Sequence, residues 1–164
     1  MRVFLVCSNR FAVFLCAAAI IVANMCIQPD GSNSGAPIIL WTCNGGDIQS
    51  WAFEPAPDTN PAQYSIVNKA TGLCLNVPDS SLSMEVQLIQ YPYVPGATNA
   101  QWELQEAGGG NYYIRNENSG LVINVWYKIY QDGTKIQQFY NTNDDNEKFW
   151  IDPGKPAFGR YIGV

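Results

Sequence analysis

Gly72-Leu73-Cys74-Leu75-Asn76 is the stretch on which the fold turns, because the chain says it three times. Asn24-Met25-Cys26-Ile27-Gln28 stands 48 residues before it, and Gly120-Leu121-Val122-Ile123-Asn124 stands 48 residues after it. Each copy is followed by an aromatic at an equivalent place, Trp41, Tyr91 and Phe139, and each unit closes on a tryptophan, Trp51, Trp102 and Trp150. A fixed period of about fifty residues marks one supersecondary unit repeated, each copy too small to bury its own apolar face. Three copies are few for a solenoid or propeller and are the number that closes a threefold barrel. The closing tryptophans are therefore expected in the core.

The units break into short strands. In unit two these are Tyr64–Val67, Leu73–Val77, Val86–Tyr91 and Gln101–Leu104, and in unit three Tyr112–Arg115, Leu121–Val125, Ile136–Tyr140 and Phe149–Ile151. Runs of Val, Ile, Leu and aromatics punctuated by Gly, Asn, Asp and Pro argue for an all-β chain. No stretch after Ala23 sustains apolar spacing at i, i+3, i+4 and i+7, so almost no helix is expected.

Composition narrows the function classes. Charged residues make up 14% of the chain, against ~25% in an average globular domain. Polarity comes instead from 15 Asn and 10 Gln, side chains that both donate and accept hydrogen bonds and so suit polyhydroxyl ligands, although many fill β-turns. The net charge of −5 with no basic run lacks the phosphate-neutralising footprint of a nucleic-acid binder. Histidine is absent, which removes His-based acid–base catalysis, His-liganded metals and Ser-His-Asp or Cys-His arrangements. Asp144, Asp145 and Glu147 are clustered but have no second carboxylate pair across a cleft. They read as a solvated loop or, more weakly, as a calcium site. No catalytic residue, metal site or cofactor is expected.

Residues 1–23 form a separate segment. Met1-Arg2 and Arg10 precede the apolar run Phe11–Ala23, which ends in Ile21-Val22-Ala23 with the small Ala23 at its exit. This is the pattern of a secretory signal peptide, short of the ~20 residues of a membrane span. The alternative is a displaced first strand. Cleavage near Ala23 would leave Cys26, Cys43 and Cys74. Cys26 and Cys43 end adjacent strands of one unit, whereas Tyr93 stands where a partner for Cys74 would be. One disulfide, Cys26–Cys43, and one buried thiol are expected in a secreted protein with no membrane attachment in its mature form.

With four strands per unit and three units, the chain resembles the ricin B-type lectin domain, a β-trefoil whose units run from a "C-L-D-V" strand through "Q-L-W" to a closing "N-Q-x-W". The matching runs are Cys26-Ile27-Gln28, Ile39-Leu40-Trp41 and Ile48-Gln49-Ser50-Trp51 in unit one. Unit two has Cys74-Leu75-Asn76-Val77, Ile89-Gln90-Tyr91 and Asn99-Ala100-Gln101-Trp102, and unit three Val122-Ile123-Asn124-Val125, Gln137-Gln138-Phe139 and Glu147-Lys148-Phe149-Trp150. The repeats span about 24–54, 62–105 and 110–152 of a single 24–164 domain. The segment 158–164 reads as the opening strand of a further unit. It either closes the barrel in place of a strand missing from unit one, or marks a piece of a longer protein carrying an enzyme or toxin domain.

The resemblance implies non-catalytic glycan binding, of galactose-type sugars or plant or cell-wall polysaccharide, by one shallow pocket per unit. Such a pocket holds an acid on the first strand, an aromatic platform and an Asn near the closing Trp. Unit two keeps the set best, with Asn76, Tyr91 and Asn99. Unit three offers Asn124, Phe139 and Gln137, with Glu147 in place of the Asn, and unit one offers Trp41 with Gln28 in place of the acid. No unit has the carboxylate, and an amide loses the stronger charge-assisted bond. The competing reading is a trefoil without sugar sites that works through protein contacts, as protease-inhibitor trefoils do.

Overall fold

The computed structural model describes residues 24–56, 63–151 and 160–164. The signal segment or displaced strand expected at 1–23 lies outside the described residues. Unit one contributes β1 (Met25–Pro29), β2 (Ile38–Thr42) and β3 (Ser50–Pro55). Unit two contributes β4 (Gln63–Asn68), β5 (Cys74–Asn76), β6 (Ile89–Tyr91) and β7 (Gln101–Gly108). Unit three contributes β8 (Asn111–Asn116), β9 (Val122–Val125), β10 (Ile136–Phe139) and β11 (Phe149–Ile151), and β12 (Arg160–Gly163) ends the chain. Every pairing is antiparallel within one 12-stranded sheet. The helical turns among the described residues are single 3-10 turns of three residues each. The fold is an all-β β-trefoil.

Strand partners repeat from unit to unit. β4 pairs with β3, β5 and β7, and β8 pairs with β7, β9 and β11. β12 pairs with β11, β1 and β3, so the carboxyl-terminal strand holds the place that an opening strand of unit one would hold. The core carries the same symmetry. Ile27, Leu75 and Ile123 form one fully buried set, Ile38, Leu88 and Ile136 a second, and Ile66, Ile114 and Ile162 a third. Burying each such side chain is worth about 1.5–3 kcal/mol, and the third set is complete only because β12 brings Ile162.

The closing aromatics require one correction. Trp51 and Trp102 are fully buried, but the third member of that layer is Phe149, and Trp150 is only half-buried. Register decides this. Trp102 faces Tyr64 across β4–β7, and Phe149 faces Tyr112 across β8–β11. Successive strand residues point to opposite faces, so Trp150 turns outward by one step. The Trp51 and Trp102 indoles donate to the carbonyls of Ile27 (3.1 Å) and Leu75 (3.0 Å). Trp150 instead lies over Gly163, where a β-carbon would run into its indole and the Met25 carbonyl.

Buried amides tie the units together. Asn68 and Asn116 are fully buried. Each accepts from the turn that follows it, Ala70 and Thr71 or Asn118 and Ser119, and donates to a backbone carbonyl of a neighbouring segment, Ile48 (2.8 Å) or Asn99 (3.1 Å). Gln90 and Gln138 clamp the Gly31–Asn33 and Ser81–Ser83 loops in the same way. Many of the amides in the sequence are thus structural. Cys26 and Cys43 form a disulfide with Cα atoms 5.1 Å apart. The remaining cysteine among the described residues, Cys74, is a buried thiol whose pKa is pushed up to about 11, first by burial and then by Glu54.

Candidate functional site

The three candidate sites sit at equivalent strand positions. Gln28 faces Ile39, Asn76 faces Ile89 and Asn124 faces Gln137, while the aromatics face the first residue of each motif: Trp41 opposite Cys26, Tyr91 opposite Cys74 and Phe139 opposite Val122. The backbone therefore places the same three side-chain positions together in every unit. What fills them differs.

In unit two Asn76 is buried and Tyr91 exposed. Asn99 donates to Asn76 Oδ1 (3.2 Å) and to the Val77 carbonyl (2.8 Å), so the two amides meet, while Tyr91 lies two residues along the neighbouring strand from Ile89, the partner of Asn76. In unit one Trp41 is exposed, and Gln28 accepts from the buried Gln49 (2.9 Å). Ile48 stands where an Asn would complete the set, and Asp47 turns away to Lys69 at 3.6 Å.

Unit three holds a cavity of about 340 Å³, lined by Asn124, Gln137 and Phe139 together with Tyr127, Lys128, Thr142, Asp144, Asn146, Glu147 and Glu85. This is at the lower edge of the ~300–1,000 Å³ range of small-molecule sites. Its third contact residue is Asn146, three positions before Phe149 as Asn99 is three before Trp102. Asn146 donates to the Val125 carbonyl (2.8 Å) as Asn99 does to that of Val77. Glu147 therefore does not replace the Asn; it matches Gln49. Nor is it part of a solvated loop, because it is fully buried. Its carboxylate accepts from Asn124 Nδ2 (3.3 Å), Thr142 Oγ1 (2.8 Å) and the Thr142 backbone N–H (2.9 Å). A buried charge is tolerated only when it is so bonded.

Gln137 Nε2 donates to Asn124 Oδ1 (3.1 Å), so both ends of the Asn124 amide are engaged. The acceptor oxygens of Gln137 and Asn146 are buried with no hydrogen-bond partner, an exception that calls for a reason in a folded protein. At the rim Lys128 bridges to Asp144 (3.0 Å). That hydrogen bond holds the Asp144 carboxyl below its ordinary value and the Lys128 amine above its own. The matching residues of unit two, Ser80 and Ala97, form no such bridge. Among the described residues no three His, Cys, Asp or Glu side chains are grouped to hold a metal ion.

Asn146, Tyr127, Lys128, Thr142 and Glu85 are the lining residues that the sequence did not single out. Asn146-Glu147-Lys148-Phe149 fits the closing motif with Phe for Trp, but the adjacent Trp150 draws the alignment one residue too far. Tyr127 and Lys128 lie in a loop between motifs, where periodicity carries no signal.

The sequence matches the family described as "Ricin-type beta-trefoil lectin domain-like" over residues 49–139, more than half of the chain. Comparison with curated proteins gives no significant match. Among solved structures it is similar to the designed threefold-symmetric protein ThreeFoil, at 28% identity and TM-score 0.72 over 77% of this chain and 89% of that one. It is similar to the exo-beta-1,3-galactanase 1,3Gal43A from Clostridium thermocellum, at 27% identity and TM-score 0.70 over 85% of this chain, which spans only 27% of the enzyme. The Rhizoctonia solani agglutinin shares the fold, with TM-score 0.67 at 16% identity over 88% of this chain and 90% of that one.

Proposed function

The chain belongs to the ricin-type β-trefoil lectin-like family, and on that premise we propose that it is a non-catalytic carbohydrate-binding module whose principal pocket is that of unit three. The observation that carries this is the cavity itself, an aromatic ring beside convergent amides and a hydroxyl. Phe139 offers a flat apolar surface for one face of a pyranose. Sugar hydroxyls donate to Asn146 and Gln137, whose oxygens want a donor, after a modest turn of each amide. Unit two is the second, more open site, with Tyr91 as platform and Asn76 and Asn99 as polar contacts. Unit one is weaker, having Trp41 and Gln28 but no Asn.

Shallow single sites of this kind bind at about 0.1–1 mM, or roughly 4–5.5 kcal/mol, so useful avidity comes from two sites or several chains. The galactanase that this chain resembles over part of its length makes β-1,3-linked galactose a ligand to try, and an enzyme domain in a longer parent chain a fitting setting. The Cys26–Cys43 bond fits a secreted protein. A glycan array followed by calorimetric titration tests the proposal. Phe139→Ala is expected to weaken binding at least tenfold, and Tyr91→Ala to remove a separable, weaker component. Absence of any glycan binding at millimolar concentration would leave a trefoil acting through protein contacts.

A further inference from the structure

Between β9 and β10 the backbone takes the left-handed conformation twice in succession, at Tyr127 (φ 48°) and Lys128 (φ 58°). Unit two has the same bend at Asp79 (φ 54°) and Ser80 (φ 50°), where a short polar residue such as Asp suits it. A bulky aromatic there is an outlier. Tyr127 is also 74% exposed, so burial does not repay the strain. It nevertheless has one ring neighbour, and its loop is tied by an ion pair. Trp126 meets it edge-on at 4.9 Å between ring centres, with Lys135 Nζ 5.8 Å over the Trp126 ring. The next residue, Lys128, links the loop to Asp144 across the cavity at 3.0 Å. Strain maintained by its surroundings and contributing nothing to the core points to function, and Tyr127 lines the same cavity as Phe139.

We infer that Tyr127 is a second aromatic platform, which makes the unit-three pocket a site for a sugar chain rather than for a single residue. The inference rests on the carbohydrate-binding reading above. Phe139 takes one pyranose, and Tyr127, at the exposed edge, takes the next. Two flat rings held before the ligand arrives lose little freedom on binding, so the second contact appears as affinity. Unit two has Asp79 at this position and binds a terminal sugar without regard to chain length.

The test titrates galactose, xylose and N-acetylglucosamine, each against its own β-linked trisaccharide, into wild type, Tyr127→Asn, Tyr127→Phe and Phe139→Ala. Asn tolerates the left-handed backbone, so Tyr127→Asn removes the ring without adding strain. For at least one series, wild type is expected to bind the trisaccharide ten or more times tighter than the monosaccharide. Tyr127→Asn should reduce that ratio to about two while changing monosaccharide affinity less than twofold. Tyr127→Phe should keep the gain, and Phe139→Ala should weaken both ligands. A length gain that survives Tyr127→Asn, equal losses for both ligands in that variant, or binding with no length gain in wild type overturns the inference and leaves carbohydrate binding intact. Failure of wild type to bind any of the six sugars overturns the inference, and failure to bind any glycan of the array as well overturns both.

Discussion

Asn116 shows how much one buried amide does here: its carbonyl accepts from Asn118 and Ser119, and its amide donates to Asn99 (3.1 Å) and Gln101 (3.3 Å). Asn116→Ala strands those groups inside the protein. A loss of about 2–3 kcal/mol is expected, read from urea unfolding as a lower midpoint at unchanged slope. Glu85 behaves in the opposite way. It holds φ 65° where the matching residues of units one and three are Gly35 and Gly133, both at φ 84°. Its interactions with Gln138 and Lys135 run through its own backbone N–H and C=O. Relief of left-handed strain outweighs the extra chain entropy of glycine, so Glu85→Gly should be neutral or stabilising by up to about 1 kcal/mol. A loss greater than that would contradict the strain argument. Cys74, with its thiol raised to about 11, should resist a thiolate-directed reagent at about pH 8 in the native state and react on unfolding. The buried thiol was legible in sequence, but the role of Asn116 was not, because the same residue type, Asn, serves as turn cap at 68 and 116 and stands at the proposed site positions 76, 124 and 146.

At the scale of elements, β12 is what completes the barrel. Ile162 stands where Ile66 and Ile114 stand in the other units, all three fully buried. Ile162→Ala should therefore cost as much as Ile114→Ala, about 2–5 kcal/mol, although it is the third residue from the end of the chain. A cost below about 1 kcal/mol would show the strand to be dispensable. The repeats were legible because a period of 48 residues shows in the strand motifs, whose alternation is set by burial on one face. Strand order was not. That β12 pairs with β1, β3 and β11 depends on contacts between the two ends of the described chain. The closing strand of unit three was misregistered because Phe149 and Trp150 both fit an aromatic position, and only cross-strand pairing with Tyr112 and Asn111 separates the inward residue from the outward one.

For the whole molecule, symmetry supplies three equivalent positions, and divergence of the loops decides which of them becomes a pocket. At unit three Lys128 and Asp144 meet across the rim of the cavity, whereas the matching residues of unit two, Ser80 and Ala97, have no charges to pair. Asp144 titrates below its ordinary 3.8 and Lys128 above its ordinary 10.5. A carboxyl lowered in the folded state keeps its charge, and the bridge, until pH falls through that lowered value. Binding at unit three should then be flat over about pH 5–9 and decline only below 3.8; an affinity that changes severalfold within the flat range would show that another group controls the site. The central claim is that sugar occupies this cavity, and the most direct measurement is a nitrogen–proton NMR titration of labelled protein with the best glycan from the array. The side-chain amides of Gln137, Asn146 and Asn124 and the backbone N–H of Thr142 are expected to shift first, followed at higher concentration by those of Asn76 and Asn99. Shifts confined to residues away from both pockets, or shifts at Asn76 and Asn99 with none at Gln137 and Asn146, would contradict it.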